Sequence, residues 1–325
     1  MRRLKTILLN HPQGEVNVDW GEDLKTALTH KHDVHIFNRA QPAAPQFEGM
    51  EVIVDLGGNI TSEWVDMAAK GGVKYIQAQT NGLDHVEVKK ILESGIMLAH
   101  CPGSLSEVSL AEGAMMFILM LAHRYIEGVD NFSVGKFFFP RGMEVEGRSL
   151  GIVGFGHSGQ QLARRAKSFG MRISGIDVRQ IEEDVLDDIQ PDFMGGPDHL
   201  DKVISGSDFL SVHMHLTNET KHIIDARRIN LMKPTAYIIN VARGELIDED
   251  ALYDALLEKR IGGAGLDAFA NEPADSTLPV YKLPNVIVQP HSVAATDGTS
   301  LKRSRFAVEN LGRYALGEDI LARVG

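Results

Sequence analysis

The chain has 325 residues, 43% hydrophobic and 24% charged, with a formal net charge of −11. That length is comfortable for two domains, and the balance is that of an ordinary soluble globular protein. The acidic excess argues against a nucleic-acid partner and against adhesion to anionic membranes.

Cys101 is the only cysteine, so no intrachain disulfide can form and a reducing, cytoplasmic address is expected. The N-terminus carries Arg2, Arg3 and Lys5, but its apolar run is too short for a signal peptide. The longest apolar stretch, residues 114–122, is about half of what a bilayer span needs.

In chain order, short apolar runs predict strands over 6–9, 34–37, 52–55, 74–77 and 96–99. Helices are expected between them at 22–30, 62–70 and 85–94, with a Pro- and Ala-rich surface loop at 41–46. Such alternation implies a parallel sheet covered by helices on both faces. A long helix over 106–131 follows. Its apolar residues around Met115, Phe117, Ile118 and Leu121 run almost all round, which suits burial between domains or between subunits.

A strand over 149–153 then runs into Gly154-Phe155-Gly156-His157-Ser158-Gly159, a helix over 160–169 and a strand over 172–176 that ends on Asp177. Gly154 permits the tight turn, Gly156 lets backbone approach a pyrophosphate, and Gly159 lets the helix lie close on its strand. The phosphates would meet unpaired amides at the helix N-terminus, here those of His157 and Ser158. Asp177 is placed to accept hydrogen bonds from a ribose 2′-hydroxyl and would repel a 2′-phosphate. NAD is therefore expected in preference to NADP, a preference that Arg179 weakens.

Beyond Asp177, strands are predicted at 209–213, 236–240, 263–267 and 286–289, and helices at 225–231, 248–259 and 298–315. Two alternating blocks, with the glycine turn opening only the second, predict two doubly wound α/β domains. The first is flavodoxin-like and the second Rossmann-like, with a cleft between them. The last helix is expected to return to the first domain. The substrate-binding domain would then comprise 1–104 plus 297–325, and the NAD-binding domain 105–296.

Three segments of the second half place polar residues just past apolar strands, where open α/β sheets bind ligands. They are Asn240-Val241-Ala242-Arg243-Gly244-Glu245, Leu266-Asp267-Ala268-Phe269-Ala270-Asn271-Glu272-Pro273 and Gln289-Pro290-His291-Ser292. With the glycine turn and Leu216-Thr217-Asn218-Glu219-Thr220, these segments resemble the D-isomer-specific 2-hydroxyacid dehydrogenase family over nearly the whole chain. The resemblance implies an Arg–Glu–His catalytic trio at Arg243, Glu272 and His291. It also implies cofactor contacts from Val241 and Asp267, the latter to the nicotinamide carboxamide, and a homodimer through the cofactor domain that uses the long helix. The chemistry suits the residue types. Arg243 can grip a carboxylate with a planar, permanently charged fork. His291 can exchange a proton with the C2 oxygen as hydride is transferred, with Glu272 orienting the ring and raising its pKa.

In the first domain, Gln79-Thr80-Asn81-Gly82-Leu83-Asp84 resembles the family's loop before a helix. Amides of Asn81 and Gly82 would receive the substrate carboxylate opposite Arg243, with Asp84 as helix cap. Gly58 would lie near the substrate's C3 end. The absence of a cation between Asp55 and Lys70 argues against a phosphorylated substrate.

The expected function is hydride transfer between NAD(H) and a small D-2-hydroxy acid of the lactate, glycerate or glycolate type. The alternatives are a formate- or phosphite-type dehydrogenase, or an NAD-sensing corepressor-like protein, whose extra terminal segments are not expected here. Three features depart from the family pattern. His213-Met214-His215 replaces the usual His-x-Pro, His157-Ser158 is unusually polar, and Ser292-Val293-Ala294 replaces a glycine-bearing stretch. His213 and His215 at strand spacing could share a metal, but no third ligand is evident, so none is expected.

Overall fold

The computed structural model describes residues 2–10, 18–57 and 60–325. The chain divides into two compact units, Met1–Leu105 with Ala295–Gly325, and Ser106–Ala294.

In the first unit the elements run β1 (Lys5–Leu9), α1 (Val18–Thr29), β2 (Asp33–Ile36), α2 (Ala43–Phe47), β3 (Val52–Asp55), α3 (Ser62–Gly71), β4 (Tyr75–Ala78), α4 (Val88–Glu93) and β5 (Met97–Ala99). In the second they run α5 (Glu107–Ala122), α6 (Tyr125–Ser133), β6 (Ser149–Val153), α7 (His157–Ser168), β7 (Arg172–Ile176), α8 (Glu183–Ile189), β8 (Phe193–Gly195), α9 (Leu200–Gly206), β9 (Phe209–Val212), α10 (Ala226–Ile229), β10 (Tyr237–Asn240), α11 (Glu249–Leu257), β11 (Gly263–Leu266) and β12 (Val286–Val288). The chain then rejoins the first unit with α12 (Asp297–Leu316) and β13 (Arg323–Val324).

The first sheet has the order β13-β5-β4-β3-β1-β2, parallel except for the antiparallel edge strand β13. Its five parallel strands thus follow the flavodoxin-like order. The second sheet, β12-β11-β10-β9-β6-β7-β8, is parallel throughout and has the Rossmann order extended by one strand. Both are doubly wound α/β units.

Alternation along the strands sorts side chains onto two faces. In the second unit Ile152, Phe209 and Ile239 pack with α5 and α7, while Val153, Leu210 and Ile238 pack under α9 and α11. In the first, Ile7, Ile53 and Ile76 face one way, and Leu8, Val54 and Tyr75 the other. Polar anchors tie α12 into the first unit. Asn310 donates to Gln77 Oε1 at 2.9 Å and accepts from the Leu321 amide at 2.8 Å, and the buried Arg303 donates to the Gln79 carbonyl at 3.0 Å.

The structure corrects several expectations. The helix predicted over 106–131 breaks at Arg124, which takes a left-handed φ of 52°, leaving α5 and α6 separate. Within its own unit α5 packs on α7, β10 and β11 and buries Met115, Phe117, Ile118 and Leu121, while Met116, Leu119 and Met120 stay only partly buried. A more exposed apolar surface lies on α6 and the segment after it. There Phe132, Phe137, Phe138 and Phe139 are 60–100% exposed.

The loop expected at 41–46 contains the short helix α2. Elements α8, β8 and α9, polar outside and short, carried no strong periodicity and were not predicted. Helix α4 begins at Val88 with Glu87 at its N-cap, so Asp84 is not its cap and Gly82 lies well before its first turn. Among the described residues, no helix is long and apolar enough to cross a membrane.

Candidate functional site

The reversal of strand order between β6 and β9 creates the crevice at which doubly wound sheets bind ligands. The glycine turn lies there. Gly154 has φ 95°, and a Cβ on it would stand 2.7 Å from the carbonyl carbon of His213 at the end of β9. Only glycine meets both demands. A Cβ on Gly159 would stand 2.3 Å from the Gly154 carbonyl oxygen, so α7 rests directly on the turn. At Gly156 a Cβ would meet only Arg179, at 3.6 Å, which leaves the backbone open on the outer side. His157 is exposed and Ser158 half-buried in the first turn of α7, whose leading amides have no intrahelical acceptors. These features fit a pyrophosphate at the helix N-terminus.

Asp177 follows β7 and is nearly buried. Its Oδ2 accepts from the Phe155 amide at 2.9 Å, which braces the turn, and from Arg179 Nη2 at 3.1 Å. Its Oδ1 accepts from the Arg179 amide and Nε. Burial works to raise the Asp177 pKa, but these hydrogen bonds and the guanidinium charge hold it below the ordinary carboxylate value. The group is a fixed negative charge.

Arg243, Glu272 and His291 all belong to the second unit and follow β10, β11 and β12. Glu272 accepts from His291 Nδ1 at 2.8 and 2.9 Å through its two oxygens, and from the Phe269 amide at 3.0 Å. The hydrogen bond and charge of Glu272 raise the His291 pKa above its ordinary 6.5, while burial and the charge of Arg243 oppose this. Burial pushes Glu272 upward, yet His291 and Arg243 hold it below the usual range. Arg243 is therefore close enough for its charge to act on both partners. The Arg243 carbonyl is held by Asn240 Nδ2 at 2.8 Å, and its Nη1 donates to the Ala242 carbonyl at 2.9 Å.

His291 sits at φ 53°, a left-handed conformation that costs an L-residue roughly 1–2 kcal/mol. Asp267, buried at the end of β11, maintains it. Its Oδ1 accepts from the amides of Ser292 at 2.8 Å and Val293 at 3.2 Å, so the loop carrying His291 is bolted to β11. Burial raises the Asp267 pKa against these bonds. The Ser-Val-Ala departure also finds its physical complement here. A Cβ on Gly113 of α5 would stand 2.6 Å from that of Val293, so the missing side chain makes room for the extra one.

Val241 is buried in the core cluster beside α5. In the first unit, Gly82 is buried and Asn81 half-buried, with the Asn81 carbonyl 3.1 Å from His100 Nδ1. Gly58 lies outside the described residues. Sequence reasoning missed Gly244. A Cβ there would lie 1.9 Å from the Phe269 carbonyl carbon, so the Arg243 and Glu272 loops touch backbone to backbone. The Arg-Gly pair after a strand was the available signal. Among the described residues, no cluster of three or more His, Cys, Asp or Glu could hold a metal.

Fold and site together define a two-domain α/β protein with a dinucleotide-binding second domain. Residues 115–293 match the sequence profile of the D-isomer specific 2-hydroxyacid dehydrogenase NAD-binding domain. The chain is 38% identical over 266 residues to a glyoxylate reductase of Korarchaeum cryptofilum, covering 80% of this chain and 77% of that protein. It is 34% identical to a hydroxypyruvate reductase of Thermotoga maritima, over 75% of this chain and 78% of that one. The crystal structure of D-lactate dehydrogenase from Aquifex aeolicus, complexed with NAD and lactic acid, superposes with a TM-score of 0.80 at 26% identity over 96% of each chain. The chain belongs to the D-isomer-specific 2-hydroxyacid dehydrogenase family, a family of NAD-binding oxidoreductases.

Proposed function

We propose that the protein interconverts a small 2-keto acid and its D-2-hydroxy acid, of the glyoxylate, pyruvate or hydroxypyruvate size, with NAD(H). The observation that carries this reading is the Glu272–His291 pair at 2.8 Å under the influence of the Arg243 charge. When bound, the nicotinamide supplies or accepts the hydride at substrate C2. Arg243 grips the substrate carboxylate and draws electron density from the neighbouring carbonyl. His291, kept protonated by Glu272, gives its proton to the carbonyl oxygen in reduction and takes it back in oxidation. Asp267 holds the His291 loop and retains lone pairs for the nicotinamide carboxamide, and Val241 lines the same cofactor. The amides of Asn81 and Gly82, together with Gly58, are proposed as further substrate contacts from the first unit.

The buried charge of Asp177 favours a ribose diol over a 2′-phosphate, hence NAD over NADP, and Arg179 moderates the difference. A second copy of the chain is proposed to cover the aromatic surface of α6 and residues 134–139, since exposed apolar patches of this kind mark association sites.

The test is NADH oxidation against pyruvate, glyoxylate, hydroxypyruvate, 2-ketobutyrate, phenylpyruvate and 3-phosphohydroxypyruvate. Turnover is expected with the first three and not with the phosphorylated acid. Inactivity on the whole panel with either NADH or NADPH would refute the enzymatic reading.

A further inference from the structure

None of the steps above uses the polar chain at the switch point between β6 and β9. Ser211, fully buried in β9, has its Oγ 2.9 Å from His213 Nε2. His213 Nδ1 in turn lies 3.0 Å from the Oγ of Ser158, the second residue of α7. The three side chains make one line of hydrogen bonds from the sheet interior to the glycine turn. His213 is fixed at its backbone as well, because its carbonyl lies against Gly154. Burial drives its pKa down to about 4, so the ring is neutral at physiological pH.

A neutral imidazole has one donor nitrogen and one acceptor. If Nε2 carried the proton, Ser211 would accept it, and its own hydroxyl hydrogen would be buried with nothing to receive it. The Ser211 hydroxyl has no other hydrogen-bond partner among the described residues. Folded proteins avoid that arrangement. With the proton on Nδ1, Ser211 donates to Nε2 and Nδ1 donates to Ser158, so the Ser211 hydroxyl and the ring N–H are both matched. Ser158 then accepts from the ring, and its hydroxyl hydrogen is free to point elsewhere. The reverse tautomer would consume that hydrogen and present an anion with lone pairs only.

Resting on the dinucleotide reading above, we infer that His213 is a positioning residue: the Ser211–His213–Ser158 relay fixes the Ser158 hydroxyl as a hydrogen-bond donor to the pyrophosphate. The relay accounts for a polar residue in the middle of the glycine turn. It also gives His213 a task that involves neither a metal nor the hydride-transfer site.

Binding of NADH, ADP-ribose and adenosine to the full chain tests this without reference to turnover. Ser158→Ala is expected to weaken NADH and ADP-ribose by about tenfold, as for a lost hydrogen bond to a charged group, and to leave adenosine unchanged. His213→Phe should match that loss. The double variant should be no weaker than Ser158→Ala alone, because the two residues act through one bond. His213→Asn, whose amide nitrogen falls near Nδ1, should recover most of the loss. Long-range proton–nitrogen NMR spectra of histidine-labelled protein should show His213 protonated on Nδ1.

Unchanged NADH affinity in Ser158→Ala, an equal loss for adenosine, additive losses, or a proton on Nε2 would each overturn the relay. If His213→Phe does not fold, Ser158→Ala and the tautomer spectrum still decide. A wild-type chain that binds neither NADH nor ADP-ribose would instead remove the dinucleotide reading itself, a distinct result.

Discussion

Gly244 offers the sharpest test of how the site is assembled, because it touches no reacting group. In Gly244→Ala the new Cβ would stand 1.9 Å from the Phe269 carbonyl carbon and 2.1 Å from the Ala270 nitrogen. Ordinary contact begins at 3.4 Å, so the two loops must part by about 1.5 Å. Both obstructing atoms are backbone, and neither can rotate away. The displaced segment carries the Phe269 amide that holds Glu272, while Gly244 itself is bonded to Arg243. Misplacement of about 1 Å costs on the order of 10²-fold in rate, so kcat/KM for keto-acid reduction should fall at least that far. Overpacking of this kind costs roughly 1–3 kcal/mol, which lowers the melting temperature by about 2–4 °C per kcal/mol in a domain of this size. The glycine turn lies on other strands, so affinity for ADP-ribose, which does not reach Val241 or Asp267, should stay within about twofold. Steady-state kinetics, ADP-ribose titration and thermal unfolding of the purified variant measure all three. A folded Gly244→Ala enzyme with wild-type kcat/KM would refute the argument that this backbone contact sets the Arg243–Glu272 geometry.

Glu272→Gln removes the group that raises the His291 pKa. Reduction needs protonated His291, so its rate falls as pH rises through that pKa. The alkaline limb of the reductive pH–rate profile should therefore move to lower pH in the variant, and an unmoved limb would exclude the pair as its origin. His291→Ala should lower turnover by about 10²–10⁴-fold while NADH still binds. Arg243→Ala should raise KM as well as lower kcat, and Arg243→Lys should rescue it poorly because an ammonium cannot replace the fork; wild-type rates in either alanine variant would contradict these roles. Asp177→Ser should raise the ratio of NADPH to NADH efficiency by removing the charge that faces a 2′-phosphate, and a ratio equal to wild type would show that Arg179 or the turn sets the preference. Sedimentation should find a dimer that Phe137→Ser with Phe139→Ser converts to monomer; an unchanged sedimentation coefficient would place any interface elsewhere.

Much of this protein could be read from short stretches of chain. The strand, glycine turn, helix and acidic residue from Ser149 to Asp177 were legible because each demand is local. An apolar run makes a buried strand, a left-handed φ at Gly154 needs glycine, and a fixed number of residues brings Asp177 back to the turn. Arg243, Glu272 and His291 were singled out by the family resemblance of segments that follow apolar strands, not by local spacing alone.

Long-range packing decided the rest. Helix periodicity could not show that the chain breaks at Arg124, because neither Gly nor Pro stands between 121 and 127 to mark the break. Nor could it show which apolar residues of α5 are buried inside its own unit. The short elements α8 and α9 form because α7 and the strands β6 and β7 offer them a surface, not through their own pattern. Tertiary structure alone set the 2.8 Å bond across the 19 positions between Glu272 and His291, the pinning of the His291 loop by Asp267, and the line from Ser211 through His213 to Ser158. Sequence spacing constrains neighbours within a turn or a strand, whereas these contacts join the ends of separate strands. Only the order in which the sheet stacks those strands determines which ends meet.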